Sequence, residues 1–186
     1  ALGIATDAPA ALQRMIPDYT AALQGEDGQA CEDGSCEPET QVEARTDFAQ
    51  CARGSGKDCG HLPAIGASEW LNALGEPHGT VTLVDFWSSS CVNCAREIPE
   101  IERIYEKYKD AGLVVIGVHS PQQAHERDAS VVSGAASRLG ITYPVALDPE
   151  LEAFQAYGAT AWPTHYLAGP DGQLRSMGRG TSGLEE

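Results

Sequence analysis

Apolar residues along this chain fall into two patterns, and the change between them divides it. Val81 to Phe86 (VTLVDF) and Leu113 to His119 (LVVIGVH) are short, β-branched and almost continuously apolar, which predicts strands buried on both faces. Between them Ile98, Ile101, Tyr105 and Tyr108 recur at helical spacing and predict a helix over Ala95 to Lys109. A strand, a helix and a second strand in that order form a βαβ unit, which requires parallel pairing and a right-handed crossover. Further on, a helix is expected at Ala129 to Leu139, stopped by Gly140, then a strand at Tyr143 to Leu147 and a helix at Leu151 to Tyr157. Thr164 to Ala168, a Gly169-Pro170-Asp171-Gly172 turn and Leu174 to Gly178 read as an antiparallel hairpin. The class is α/β, with a mixed central sheet, helices on both faces and no internal repeat.

Before residue 60 the pattern fails. Asp7 and Pro9 mark a helix start, with Leu12, Met15, Tyr19 and Leu23 on one face and Pro17 interrupting it. From Gly25 to Gly60 aliphatic residues are almost absent, so this stretch cannot bury a core of its own. Two units follow: residues 1–60, an N-terminal linker or extension, and residues 61–186, a compact domain. The opening Ala1-Leu2-Gly3 carries no initiator Met and no signal peptide, and reads as the start of an excised or processed segment whose membrane anchor lies elsewhere.

Composition narrows the partners. Twelve basic against 27 acidic residues leave a formal charge of −15, a field that repels phosphate backbones and excludes nucleic acid. Six cysteines need a compartment or a chemistry. Four of them, Cys31, Cys36, Cys51 and Cys59, lie in the core-poor extension and are expected to form structural disulfides. Local pairing, Cys31 with Cys36 and Cys51 with Cys59, closes the shortest loops, although three pairings are open.

The other two sit in Asp85-Phe86-Trp87-Ser88-Ser89-Ser90-Cys91-Val92-Asn93-Cys94. A strand ends and a helix begins there, so Cys91 is expected at a helix N-terminus, where free N–H groups favour its thiolate and make it the attacking sulfur. Cys94, one turn on, can resolve a mixed disulfide. Zinc ligation would need a second pair at similar spacing, and the remaining cysteines are spaced Cys31-x4-Cys36 and Cys51-x7-Cys59. No metal and no cofactor beyond the redox-active disulfide is expected. Asp85, inside an apolar strand, is costly to ionise without a partner; it is either a poised acid that takes the Cys94 proton or a solvated strand-end residue. Trp87 is read as a cover over one side of the dithiol, and Pro99 as a kink in the helix. Glu126-Arg127-Asp128 reads as a solvated helix start, and His61, His78 and His125 as surface residues.

Together, Asp85, Trp87, Cys91-x-x-Cys94, Pro99 and Trp162-Pro163-Thr164 resemble a thioredoxin-fold oxidoreductase, and the extra chain from Gln122 to Leu147 is similar to the inserted helix and strand of the TlpA and ResA-like branch. Leu139-Gly140-Ile141-x-Tyr143-Pro144-Val145-Ala146 and Ser90-Cys91-x-Asn93-Cys94 further resemble the soluble part of DipZ-type (CcdA-fused) thiol:disulfide interchange proteins over about residues 61 to 180. The resemblance implies a cis Trp162-Pro163 bond and substrate contacts from Trp87, Val92, Asn93, Trp162 and Pro163, and it permits a substrate-docking role for Glu126-Arg127-Asp128. It also implies an electron-donating CcdA-like membrane domain in the same full-length chain, disulfide-bearing exported proteins as substrates, and a membrane-anchored location on the extracytoplasmic (periplasmic) side. The four-cysteine extension departs from that pattern.

The expected function is a thiol:disulfide oxidoreductase using Cys91, Cys94 and Asp85. No histidine or other cation separates the two cysteines, which favours a reductant over a strong oxidant. A thiol peroxidase would need an activating Thr and Arg, and only Arg96 is near. A Cu(I) metallochaperone would need His119 or His165 to join the two sulfurs.

Overall fold

A computed structural model describes residues 60–72 and 81–181. The expectations for residues 1–59, including the helix at Asp7 and the pairing of Cys31, Cys36, Cys51 and Cys59, lie outside the described residues, as does His78. Six strands form one sheet: β1 (Trp70–Leu71), β2 (Val81–Trp87), β3 (Leu113–His119), β4 (Val145–Leu147), β5 (Thr164–Ala168) and β6 (Leu174–Gly178). Among the described residues three α-helices accompany them: α1 (Val92–Tyr108), α2 (Ala129–Leu139) and α3 (Glu152–Ala156). The strand order is β1-β4-β3-β2-β5-β6. β2, β3 and β4 run parallel, while β1, β5 and β6 pair antiparallel with their neighbours.

All seven residues of β2 are buried, because α1 and α2 cover one face of the sheet and α3 the other. Side chains alternate along a strand, so Val81, Leu83 and Trp87 enter the core with Ile98, Ile101 and Ile104 of α1 and Val132 and Ala135 of α2. Val84 and Phe86 point the other way, toward Phe154, Tyr157 and Tyr166. Phe86 meets all three of those rings edge-on, at centroid separations of 5.8, 5.0 and 5.7 Å, the arrangement that ring quadrupoles favour.

Several expectations shift in detail. α1 begins at Val92 rather than Ala95, because its start is fixed by the Cys91 cap and not by apolar periodicity. It also runs unbroken through Pro99. Proline removes the hydrogen bond to the Ala95 carbonyl, but both Pro99 and Ala95 are exposed, so water can take that acceptor. β4 begins at Val145 instead of Tyr143. Gly140, at φ +73°, ends α2 as expected.

Candidate active site

Cys91 caps α1 at its N-terminus, at the point where the chain leaves the centre of the sheet. Its Sγ accepts the Cys94 N–H at 3.1 Å, and the two cysteines form a disulfide with a Cα–Cα separation of 5.3 Å. Both the N–H and the helix dipole act on Cys91 in the sense that stabilises a thiolate. Cys91 is 8% exposed and Cys94 1%, so an incoming disulfide can reach only Cys91. Val92, between them, is 64% exposed, and Asn93 is exposed too. The Trp162-Pro163 bond is cis. Trp162 stacks on Phe154 at 4.4 Å and 16°, while Pro163 is buried.

Trp87 requires a correction. It is 0% exposed, packs edge-on against His119 at 4.8 Å and belongs to the core cluster that holds Cys91 and Cys94, so it has no surface to offer a substrate. Helix cover is the reason: Trp87 lies with Leu83 and Asp85 on the face of β2 that α1 and α2 pack against.

Asp85, on that same face, is 1% exposed and therefore not a solvated strand-end residue. Its partner is His165, directly opposite on β5 in the antiparallel register. His165 Nδ1 lies 3.1 Å from Asp85 Oδ1, off the direction of a well-formed hydrogen bond, and its Nε2 lies 2.9 Å from Glu97 Oε2. Glu97 is one helical turn after Cys94, with a side chain 24% exposed. Burial works against a charged imidazole here, but the Asp85 charge and the contacts to Asp85 and Glu97 overcome it and push His165 up to about 9. His165 thus stands between Asp85 and Glu97 and connects the buried acid to the rim. Tyr143 lies in the same core, its hydroxyl unpartnered among the described residues and raised well above the ordinary tyrosine value by burial and by the Asp85 and Glu102 charges. Gly117, opposite Asp85 on β3, leaves room for this packing: a Cβ there would stand 2.9 Å from the Tyr143 ring and 3.0 Å from Trp87 Nε1.

His119 is the reverse case. Its Nε2 accepts the Ser89 N–H at 3.1 Å, and burial pushes it down to about 4 despite nearby Glu126. His165 and His119 are therefore engaged by carboxylates and by backbone, not by the two sulfurs. Of Glu126-Arg127-Asp128, only Asp128 is the solvated helix start expected: it accepts the Ser130 N–H at 2.8 Å and caps α2. Glu126 is 1% exposed and reaches the turn before Cys91, a correction that sequence spacing could not supply because the contact is tertiary.

These histidines predict how stability varies with pH. His165, raised in the fold, contributes stability that is complete below 6.5 and is lost as pH rises toward about 9. His119, lowered in the fold, contributes stability that is complete above 6.5 and is lost as pH falls toward about 4. Denaturant unfolding across this range is expected to show a maximum near pH 6.5, and His165→Gln to flatten the alkaline flank alone.

Among known proteins, a family model described as the AhpC/TSA family matches residues 70–177. The chain is 38% identical over 194 residues to protein DipZ of Mycobacterium bovis, an alignment covering 95% of this chain and 27% of that protein. It thus spans about a quarter of the length of that relative. Thiol-disulfide oxidoreductase YkuV of Bacillus subtilis is 31% identical over 127 residues, which are 64% of this chain and 83% of YkuV. The solution structure of a thioredoxin-like protein in the oxidized form superimposes with a TM-score of 0.58 at 30% identity, covering 67% of this chain and 87% of that one. The match to the family model spans β1 to β6 with the cysteine pair inside it, and a relative is covered over most of its own length: the chain has a thioredoxin-like fold and belongs to the AhpC/TSA family.

Proposed function

We propose that the chain is a thiol:disulfide oxidoreductase that reduces disulfides in exported proteins. The observation that carries this reading is the disulfide at the head of α1, with its outer sulfur reachable and its inner sulfur buried. In the reduced protein the Cys91 thiolate attacks one sulfur of the substrate disulfide. That bond breaks, a mixed disulfide forms, and the first substrate thiolate leaves and takes a proton. Cys94 then loses its proton and attacks Cys91 Sγ, so the Cys91–Cys94 bond forms and the second substrate thiolate is released. Two electrons pass from the dithiol to the substrate. Asp85 is the acceptor for the Cys94 proton, and His165 with Glu97 offers a route from it to the rim. Val92 and Asn93, exposed between the two cysteines, and Trp162 with Pro163, joined by the cis bond, are the residues we assign to an extended substrate segment.

Oxidised Cys91–Cys94 must be returned to the dithiol by a two-electron donor. The similarity to DipZ supports a CcdA-like membrane domain in the same full-length chain as that donor, with this part on the extracytoplasmic side. No helix among the described residues is long and apolar enough to cross a membrane. Arg96, the cation a peroxide-reducing Cys91 would draw on, is on the exposed face of α1, so no observation favours the peroxidase reading. The test is to mix the pre-reduced protein with insulin and quantify thiols on both. One insulin disulfide reduced per Cys91–Cys94 pair oxidised is the expected result, and no transfer would overturn the proposal.

A further inference from the structure

The turn that delivers Cys91 is held by a buried carboxylate from the inserted segment. Glu126 Oε2 accepts the Ser88 hydroxyl at 2.7 Å and the Gln122 N–H at 3.0 Å. Ser88, 1% exposed, sits at the end of β2, and its carbonyl accepts the Cys91 N–H at 3.1 Å. Its hydroxyl is 3.4 Å from both the Ser90 N–H and the Ser90 hydroxyl. The Ser89 N–H is meanwhile donated to His119. Every residue between β2 and Cys91 is therefore tied to Glu126 or to His119 beside it.

Among the described residues, His119 is the only basic side chain within ion-pair distance of Glu126. His119 Nε2, 4.0 Å from Glu126 Oε2, is an acceptor in its bond to Ser89 and so carries no proton on that nitrogen. Asp148, the other acid on this side, accepts the Ser120 hydroxyl and the Ala153 and Phe154 N–H groups. Arg127 points outward toward Glu150 at 3.8 Å. The second oxygen of Glu126 is buried without a partner among the described residues. Burial opposes ionisation of Glu126, yet hydrogen bonds from Ser90, Ser88 and Gln122 hold its carboxyl below the ordinary range.

We propose that Glu126 is a positioning residue for the thiol chemistry: through Ser88 it fixes the turn that presents Cys91, and its charge disfavours the Cys91 thiolate. The inference rests on the oxidoreductase reading of the same site. Its effect is to oppose the stabilisation that the α1 N-terminus supplies, which keeps the reduced pair from being trapped as a stable thiolate. The inserted segment thereby acts on the chemistry through the turn that precedes Cys91.

Two substitutions separate the contact from the charge. Glu126→Gln retains an oxygen for Ser88 and removes the charge; Ser88→Ala removes the contact and retains the charge. The measurement is the rate of Cys91 alkylation by iodoacetamide against pH in the pre-reduced protein, together with the rate of attack on insulin. Glu126→Gln is expected to lower the apparent Cys91 pKa by about half a unit or more, roughly threefold more thiolate at a pH below it. Ser88→Ala is expected to leave that pKa in place or raise it, and to slow attack on insulin at the thiolate plateau. An unmoved pKa in Glu126→Gln overturns the electrostatic role, and an unchanged plateau rate in Ser88→Ala overturns the positioning role. Should the unsubstituted protein itself fail to reduce insulin, the oxidoreductase reading fails first.

Discussion

Cys91→Ser is expected to lose disulfide reduction down to the uncatalysed background, whereas Cys94→Ala is expected to attack once and stop as a mixed disulfide. The two sulfurs are not equivalent, since Cys91 is 8% exposed and caps α1 while Cys94 is 1% exposed beneath it. A serine hydroxyl at position 91 is a weak nucleophile at its ordinary pKa, and the helix N-terminus that suffices for a thiol cannot ionise it. With Cys94 removed, attack by Cys91 is intact but nothing within the site can displace the substrate. Non-reducing electrophoresis after mixing with a disulfide-bearing protein reads both outcomes: no adduct for Cys91→Ser, a persistent one-to-one adduct for Cys94→Ala. An adduct through Cys94 in the Cys91→Ser protein would reverse the assigned order.

Asp85→Asn is expected to slow the second step and spare the first. The carboxylate is buried on the face of β2 that points toward the cysteines, and an amide cannot accept the proton that Cys94 must lose. A positioned acid or base contributes about 10²-fold or more to such a step, so the mixed disulfide is expected to resolve roughly 10²-fold more slowly. His165 would lose the largest influence raising its pKa and move down. Imidazole proton resonances followed by NMR would show this directly, and unchanged resolution with unchanged His165 titration would remove Asp85 from the mechanism. His165→Gln is the complementary case, because it interrupts the connection to Glu97 while leaving the carboxylate in place.

The parts of this site that depend on local order were legible in the sequence. Val81 to Phe86 could bury itself only as a central strand, and a Cys-x-x-Cys following such a strand had to lie where a helix starts. Leu113 to His119, Ala129 to Leu139 and both hairpin strands are found at their expected bounds because periodicity, Gly140 and the Gly-Pro-Asp-Gly turn each specify them locally. β1 was missed because two residues, Trp70 and Leu71, carry no periodicity, and only the pairing with β4 makes them a strand. The costliness of Asp85 was visible; its partner was not, since His165 is brought opposite it by the β2–β5 register. Glu126 was hidden for the same reason. A Glu-Arg-Asp run looks solvated, and what buries the first residue is Ser88, 38 positions earlier. Trp87 is expected to contact substrate, and what removes it from the surface is the packing of α1 and α2 over its face of β2, which no local pattern specifies.

The most direct measurement is the reduction potential of the Cys91–Cys94 pair, obtained by equilibrating the protein in thiol-disulfide buffers and trapping free thiols. The absence of a cation between the cysteines and the buried Glu126 carboxylate beside their turn predict a value near that of thioredoxin, about −270 mV. A value close to that of DsbA, about −120 mV, would make the protein an oxidant, and the absence of any two-electron transition would contradict the site itself.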